Sequence, residues 1–390
     1  MMRATMTDSE ARRIQISLPS TGEEECQAVR EPLMSGWLTQ GPKVAAFEKA
    51  FAQRHEVKHA LATTSCTTGL HLMLAAAGIG PGDEVIVPAF TWVATANVVL
   101  YTGAMPILTD VDPLTNNLDP ADIGRRLTAK TRAVIAVHLF GLCADMSAIR
   151  ATLRPGILLF EDCACAAGAA LQGIPAGGLG DAGVFSFHPR KSITTGEGGM
   201  LTTNNDELAA TADQLRNHGA GISEEQRHRG PRPYLLPEFN LLGFNYRMTD
   251  VQGAIGLVQL SKLDAFIAER QRWAEYYRDR LADIPWLRMP VFPTRGTHAW
   301  QAFVTYVDPD TAPLPRNVIM ERLQSAGIAT RPGTHAVHML AYYRQRFGYD
   351  AHDFPVARDC NDNTMALPLH NRMTADDYDR VIRALHDVSH

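Results

Sequence analysis

The segment "VFSFHPRKSITTGEGGM" (residues 184–200) places Lys191 between two extended apolar runs, beside a glycine-rich turn. A lysine at a hairpin tip is usually a solvated surface residue. Here Val184, Phe185 and Phe187 flank it on one side, and the run resumed at "MLTT" flanks it on the other. Such neighbours are expected to desolvate the amine and lower its pKa, which makes it a better nucleophile toward a carbonyl. A second chemical group stands at the end of "ILLFED", where Glu161 and Asp162 close an apolar run of strand length. In open α/β sheets, ligands bind at the carboxyl ends of the strands, although a carboxylate there can equally cap the next helix.

Two further stretches can serve the same site. "TTSCTTGLHLMLAAAG" (63–78) opens an apolar helix with a Ser/Thr cluster. The free N–H groups of a helix start attract phosphate, and N-capping by Ser65 or Thr67 is the competing reading. In "PAFTWVATAN", Trp92 follows a strand and could stack on a planar ligand or pack in the core. A desolvated lysine paired with a strand-end acid suggests a pyridoxal phosphate site. That cofactor's aldehyde joins a lysine, and an acid keeps its ring nitrogen protonated.

The elements that must position these groups are legible as α/β patterning. "DEVIVP" (83–88), "MPILTD" (105–110), "AVIAVHL" (133–139) and "GILLFED" (156–162) are continuous apolar runs. Runs without alternation predict strands buried on both faces, as in a parallel sheet, and the intervening segments suit crossover helices. "GAGISEEQRHRGPRPYLLPEF" (219–239) reads as a long loop of the kind that is often functional. Thr249 and Gln252 fit a capping box, with Val251, Ile255 and Val258 at helical spacing to dock on the core. We expect a polar leader over 1–15, a large cofactor-binding domain over 16–255 and a smaller α+β domain over 256–390.

Composition narrows the function. With 390 residues, 45% hydrophobic and 20% charged, the chain can bury a substantial core. The formal net charge of −5 gives no basic footprint for nucleic acid. The six cysteines show no C-x-x-C spacing, which favours reduced thiols over disulfides or a zinc site. No signal-like start and no apolar run of ~18 residues are seen, so a cytoplasmic location is expected. "GLGDAG" (178–183) matches a dinucleotide motif by letter but precedes a strand instead of opening a helix. "GWLTQGPK" (36–43) lacks the G-K-[ST] ending of a phosphate loop, and no G-x-S-x-G elbow occurs. His335 and His338 in "HAVH" lack an obvious third ligand, so no metal is expected.

The blocks "PGDEVIVPAFTWVATANVVLYTGAMPILTDVDP", "EDCACAAGA", "GDAGVFSFHPRKSITTGEGGML" and "GFNYRMTDVQGAIGLVQLSKLD" resemble the DegT/StrS sugar-aminotransferase family. "ALPLH" and "MTADDYDRVIRAL" extend the resemblance to the C-terminus. It implies a fold-type I pyridoxal-phosphate transferase, with a mostly parallel central sheet sandwiched by helices and a smaller α+β C-terminal domain. By this resemblance, Lys191 forms an aldimine with the cofactor and then shuttles protons. Asp162 pairs with the pyridine nitrogen and Trp92 covers the ring. The amides of Cys66 and Thr67 and the hydroxyl of Ser186 hold the phosphate. Asn245 reaches the cofactor of a neighbouring subunit, so a homodimer with shared sites is implied. Glu197 and Gly198 belong to the family's glycine-rich turn and receive no catalytic role.

Cys165 stands where the family usually has Gln or His near the cofactor's 3-oxygen, and a thiol is a weaker hydrogen-bond partner. It either tunes the cofactor or fills space. The presence of Lys191 favours transamination over the dehydration run by relatives with His there. The resulting expectation is transfer of an amino group from L-glutamate to a keto sugar, with pyridoxamine phosphate formed between half-reactions. A nucleotide-linked 4-keto-6-deoxy sugar is the first expectation; a 3-keto sugar or amino-cyclitol precursor, or a non-catalytic cofactor-binding regulator, are alternatives. Candidate substrate contacts are His188, Arg247, Arg331 and His335, each of which could instead be a surface charge or a loop cap.

Overall fold

The computed structural model describes residues 13–221, 236 and 238–388. Its central sheet has seven strands, in the order β1 (His59–Thr63), β10 (Gly199–Thr203), β9 (Ala182–Ser186), β6 (Leu158–Cys163), β5 (Thr131–Val137), β2 (Glu84–Pro88) and β4 (Met105–Thr109). Neighbours from β9 to β4 pair in parallel, and β10 alone runs against its two partners. The four predicted runs are β2, β4, β5 and β6, with ends shifted by a residue or two. Their lack of alternation has the expected cause: β2, β5 and β6 are buried at all but one position each, as are β9 and β10 throughout, and only the edge strand β4 has a more open pattern.

A four-stranded antiparallel sheet, β11 (Leu287–Arg288), β13 (Phe303–Val307), β16 (Thr364–Leu367) and β14 (Arg331–Pro332), forms the C-terminal α+β part. A small sheet joins β12 (Gly296–Thr297) to the hairpin of β7 (Ala170–Leu171) and β8 (Ile174–Pro175). The pair β3 (Phe90–Thr91) and β15 (His335–Ala336) ties the C-terminal part to the edge of the central sheet, setting His335 opposite Thr91. Ile14 pairs with Ile328 and is buried, so the last residues of the expected leader belong to the C-terminal core.

The long helix Asp250–Arg280 starts with the predicted box, in which Thr249 and Gln252 cap each other. Its buried face differs from the expected stripe. Val251, Ile255 and Val258 are half-buried, whereas Gly253, Ala254, Gly256 and Gln259 are buried. Close helix packing explains this. A Cβ on Gly253 would stand 2.7 Å from the Val44 nitrogen, and one on Gly256 would stand 2.6 Å from the Phe47 ring. Asp250 then caps the facing helix Pro42–Arg54, accepting from the N–H groups of Lys43 (3.1 Å) and Val44 (2.9 Å). Gly253→Val should therefore cost about 1–3 kcal/mol by overpacking, read as a lower denaturant midpoint.

Candidate active site

The parallel strands β2, β5, β6 and β9 share one carboxyl edge, and the candidate residues collect there. Asp162, near the end of β6, is 4% exposed. One oxygen accepts from the Thr95 hydroxyl at 2.8 Å and the other from the Ala164 amide at 3.1 Å. It caps no helix, and it has no ion-pair partner among the described residues. Burial pushes its carboxyl above the usual range, with the Thr95 and Ala164 hydrogen bonds and the Lys191 charge pulling the other way. This acid lacks a cationic partner at hydrogen-bond distance, and its environment calls for one.

Lys191 lies in the turn between β9 and β10, and its backbone N–H donates to the His188 carbonyl at 2.9 Å. The turn is braced from both sides. Thr195 N–H and the Thr194 hydroxyl donate to the Phe187 carbonyl, and the Gln259 side chain accepts from Thr194 N–H. Glu197 and Gly198 belong to this bracing; the Glu197 carbonyl accepts from Gln252 at 2.7 Å. The Lys191 amine donates to the Cys165 sulfur at 3.3 Å. Cys165 thus faces the amine.

The expected lowering of the Lys191 pKa is reversed by the groups around the amine. Burial does pull the amine down, but Cys165, which accepts its hydrogen bond, and the charge of Asp162 outweigh that pull and hold the amine above its usual range. The flanking apolar residues signalled the burial; these two groups come from another part of the chain, so the sequence window around Lys191 did not contain them.

Ser65 caps the helix Cys66–Ala76, its hydroxyl accepting from Thr68 N–H at 3.1 Å. The first-turn amides, which include those of Cys66 and Thr67, have no acceptor within the helix. Beneath them Gly199 pairs with both Thr63 and Ser186. A Cβ on Gly199 would stand 2.6 Å from the Ser65 carbonyl carbon, so glycine is what lets the helix start sit on the sheet edge beside Ser186. The capping and phosphate readings are therefore compatible. The Cys66 thiol is buried and pushed well above its usual range, so its sulfur is a neutral neighbour of Asp162.

Trp92 is 60% exposed, which excludes the core-packing reading. Its ring lies 5.6 Å from that of His335, brought there by the β3–β15 pair. His188 is close to Lys191 in the chain and accepts from Arg190 N–H at 3.2 Å through Nδ1; burial lowers its pKa and favours the neutral ring. Arg331 is exposed at the end of β14, opposite Ala366. Arg247 donates to the Asn217 side chain at 2.6 Å, while its buried Nε has no partner among the described residues. Asn245 is exposed and forms a bridge with Asn217. The bulk of the predicted long loop, 222–235 and 237, lies outside the described residues.

Sequence reasoning missed Thr95 and the group behind Asp162. Glu161 points to the opposite face, fully buried, and accepts from the amides of Gly177, Leu179 and Gly180 and from His138 Nε2 at 2.8 Å. The glycine-rich "GLGDAG" segment thus cradles a carboxylate of its own chain. Glu161, His138 and Cys163 cluster closely enough for a metal. His138 Nδ1, however, accepts from Ala144 N–H at 3.1 Å, which puts the proton on Nε2 and commits it to Glu161. His335 and His338 are also separated, one exposed and the other buried against Phe354. Glu161→Gln should cost about 1–3 kcal/mol, because an amide cannot accept from all four donors, and a thermal melt would register it.

The model of the DegT/DnrJ/EryC1/StrS aminotransferase family matches residues 19–386. The chain belongs to that family. As a member, it is 41% identical over 374 residues to the spore coat polysaccharide biosynthesis protein SpsC of Bacillus subtilis, covering 95% of this chain and 96% of SpsC. The aminotransferase TlmJ of Streptoalloteichus hindustanus superposes with a TM-score of 0.87 at 33% identity, covering 96% of this chain and 98% of TlmJ. A candidate sugar aminotransferase of Streptococcus pneumoniae, Spr1654, in its PMP form, superposes with a TM-score of 0.91 at 27% identity, covering 96% and 99% of the two chains. The expected family, fold type and cofactor class stand: this is a pyridoxal-phosphate-dependent sugar aminotransferase.

The residues fit the cofactor. The buried Asp162 offers a partner for a protonated ring nitrogen, and the glycine-floored helix start offers N–H donors to a phosphate. The cofactor, when bound, supplies an electron sink for the carbon that gives up a proton.

Proposed function

We propose that this aminotransferase moves the amino group of L-glutamate to a nucleotide-linked 4-keto-6-deoxy sugar, with Lys191 as the covalent anchor and proton carrier. The observation that carries the proposal is the placement of one amine and one unpaired buried acid, Lys191 and Asp162, on a single sheet edge. Lys191 takes the α-proton of the donor and returns a proton to the acceptor carbon, as a positioned general acid/base. The braced turn holds its backbone still while the side chain moves. Asp162 keeps a positive charge opposite it. Cys66, Thr67 and Ser186 hold the phosphate, and Trp92 covers the ring.

Cys165 touches the amine directly, which supports a tuning role for it at the position where relatives carry Gln or His. His188 and His335 are proposed to meet the substrate, together with Arg331, which is exposed on β14 at the edge of the four-stranded sheet. Asn245 is exposed and followed closely by Arg247, which supports a paired arrangement in which each chain completes its partner's site. No helix among the described residues is long and apolar enough to cross a membrane, which agrees with the proposed cytoplasmic location.

A screen of keto nucleotide sugars with L-glutamate, read by mass, tests the substrate. Amination of a 4-keto-6-deoxy compound well above other ketones is expected; preference for a 3-keto sugar or a cyclitol ketone rejects the assignment. Glutamate alone should convert the lysine-bound absorbance to that of the amine form of the cofactor, whereas a non-catalytic binder would leave the spectrum unchanged.

A further inference from the structure

Gln301 lies between the C-terminal sheet and the Lys191 turn. Its Nε2 donates to the Arg190 carbonyl at 2.9 Å. That carbonyl belongs to the peptide unit joining Arg190 to Lys191. The N–H end of the same unit donates to the His188 carbonyl at 2.9 Å. Both ends of the peptide plane that precedes Lys191 are therefore held, one within the turn and one from a residue 111 positions away.

The segment bearing Gln301 is itself held in an unusual conformation. Trp300 adopts φ 45° and is fully buried, a left-handed backbone that a bulky side chain rarely takes and that persists only where surroundings enforce it. The surroundings here are specific. Arg270, buried on the long helix, donates to the Trp300 carbonyl at 2.9 Å. His298 stacks on the indole with centroids 3.7 Å apart, and its Nδ1 accepts from Trp300 N–H at 2.8 Å. The Gln301 N–H donates to the carbonyl of Phe140 at 3.1 Å. Phe140 is a second left-handed aromatic, at φ 59°. Ala299 N–H meets the Gly141 carbonyl at 2.9 Å, which completes the clamp. Two strained aromatic positions locked together, with one side chain extended to the lysine turn, form a rigid arm on the peptide of the nucleophile.

We propose that Gln301 is a positioning residue for Lys191, acting through the Arg190 carbonyl and fixing the direction from which the amine leaves the backbone. The proposal rests on the reading of Lys191 as the cofactor-binding amine. An amine that must reach a carbonyl, withdraw, and then carry a proton between two carbons gains from a fixed base, because small misplacements of a reacting group cost large factors in rate. Gln301 supplies a neutral N–H donor, so it adds direction without adding charge.

The test compares Gln301→Met, which keeps the length but removes the donor, with Gln301→His, which restores a neutral N–H donor the same number of bonds from Cα. Two rates are measured in each: capture of added pyridoxal phosphate by cofactor-free protein, read by visible absorbance, and the half-reaction with L-glutamate. A melt accompanies each variant. The methionine variant should capture the cofactor and turn over about tenfold more slowly, with KM for glutamate changed by less than about twofold and an unchanged melting temperature; the histidine variant should recover most of both rates. Wild-type rates in the methionine variant overturn the proposal. So does an equal loss in both variants with a lowered melting temperature, which would mark a structural role. The Lys191 reading is judged separately: if wild-type protein captures no cofactor on Lys191, that reading fails, whatever Gln301 does.

Discussion

Lys191→Ala removes turnover by on the order of 10⁴-fold or more, the scale of losing a residue that acts directly in chemistry, and leaves the chain folded. The expectation follows from geometry. The amine donates to Cys165 at 3.3 Å, in a turn whose backbone is held by Phe187, His188 and Gln259. None of those backbone bonds involves the side chain that is cut away. The substitution therefore deletes the amine and leaves its platform. Steady-state assays with glutamate and a keto sugar measure the loss, and circular dichroism with a melt establishes that the fold survives. A variant retaining more than about a tenth of wild-type turnover would show that another group does the work assigned to Lys191.

Asp162→Asn separates activity from stability. In the cofactor-free chain, burial holds the Asp162 carboxyl above its ordinary pKa. An acid whose folded pKa is raised binds its proton more tightly in the folded state, so stability falls as pH rises through the ordinary carboxylate value and on to the raised one. Above that window the full cost of a buried charge is present; below about pH 4 both states are protonated and the cost is gone. Asparagine carries no charge, so the cofactor-free variant should melt higher than wild type at neutral pH, and the difference should vanish on acidification. The loaded enzyme should lose on the order of a hundred- to a thousandfold in turnover, the scale of removing one electrostatic partner of developing charge. A variant that melts lower than wild type at neutral pH, or that keeps its rate, contradicts the assignment of Asp162 as an acid awaiting a cation.

The legibility of this molecule in its sequence follows the range of its contacts. Strands β2, β4, β5 and β6 were readable because burial on both faces leaves unbroken apolar runs. The Thr249–Gln252 box was readable because both partners lie within one turn. The C-terminal sheet was not delineated, since β11 and β14 have two residues each and carry no periodicity. The docking face of the long helix was misread because glycines, which carry no apolar signal, form the close contact with Val44 and Phe47.

At the site, Lys191 and Asp162 each announced themselves by local context. Thr95 reaches Asp162 across 67 positions, and Gln301 reaches Arg190 across 111, so neither could be found from its own neighbourhood. The raised Lys191 pKa has the same origin, since Cys165 and Asp162 meet the amine only after folding.

The central claim is that one particular amine holds the cofactor. Borohydride reduction of the protein loaded with pyridoxal phosphate, followed by proteolysis and peptide mass mapping, tests it most directly. The prediction is a reduced cofactor on the peptide containing Lys191 and on no other; a label on Lys43, Lys49, Lys58, Lys130 or Lys262 with Lys191 unmodified would contradict it.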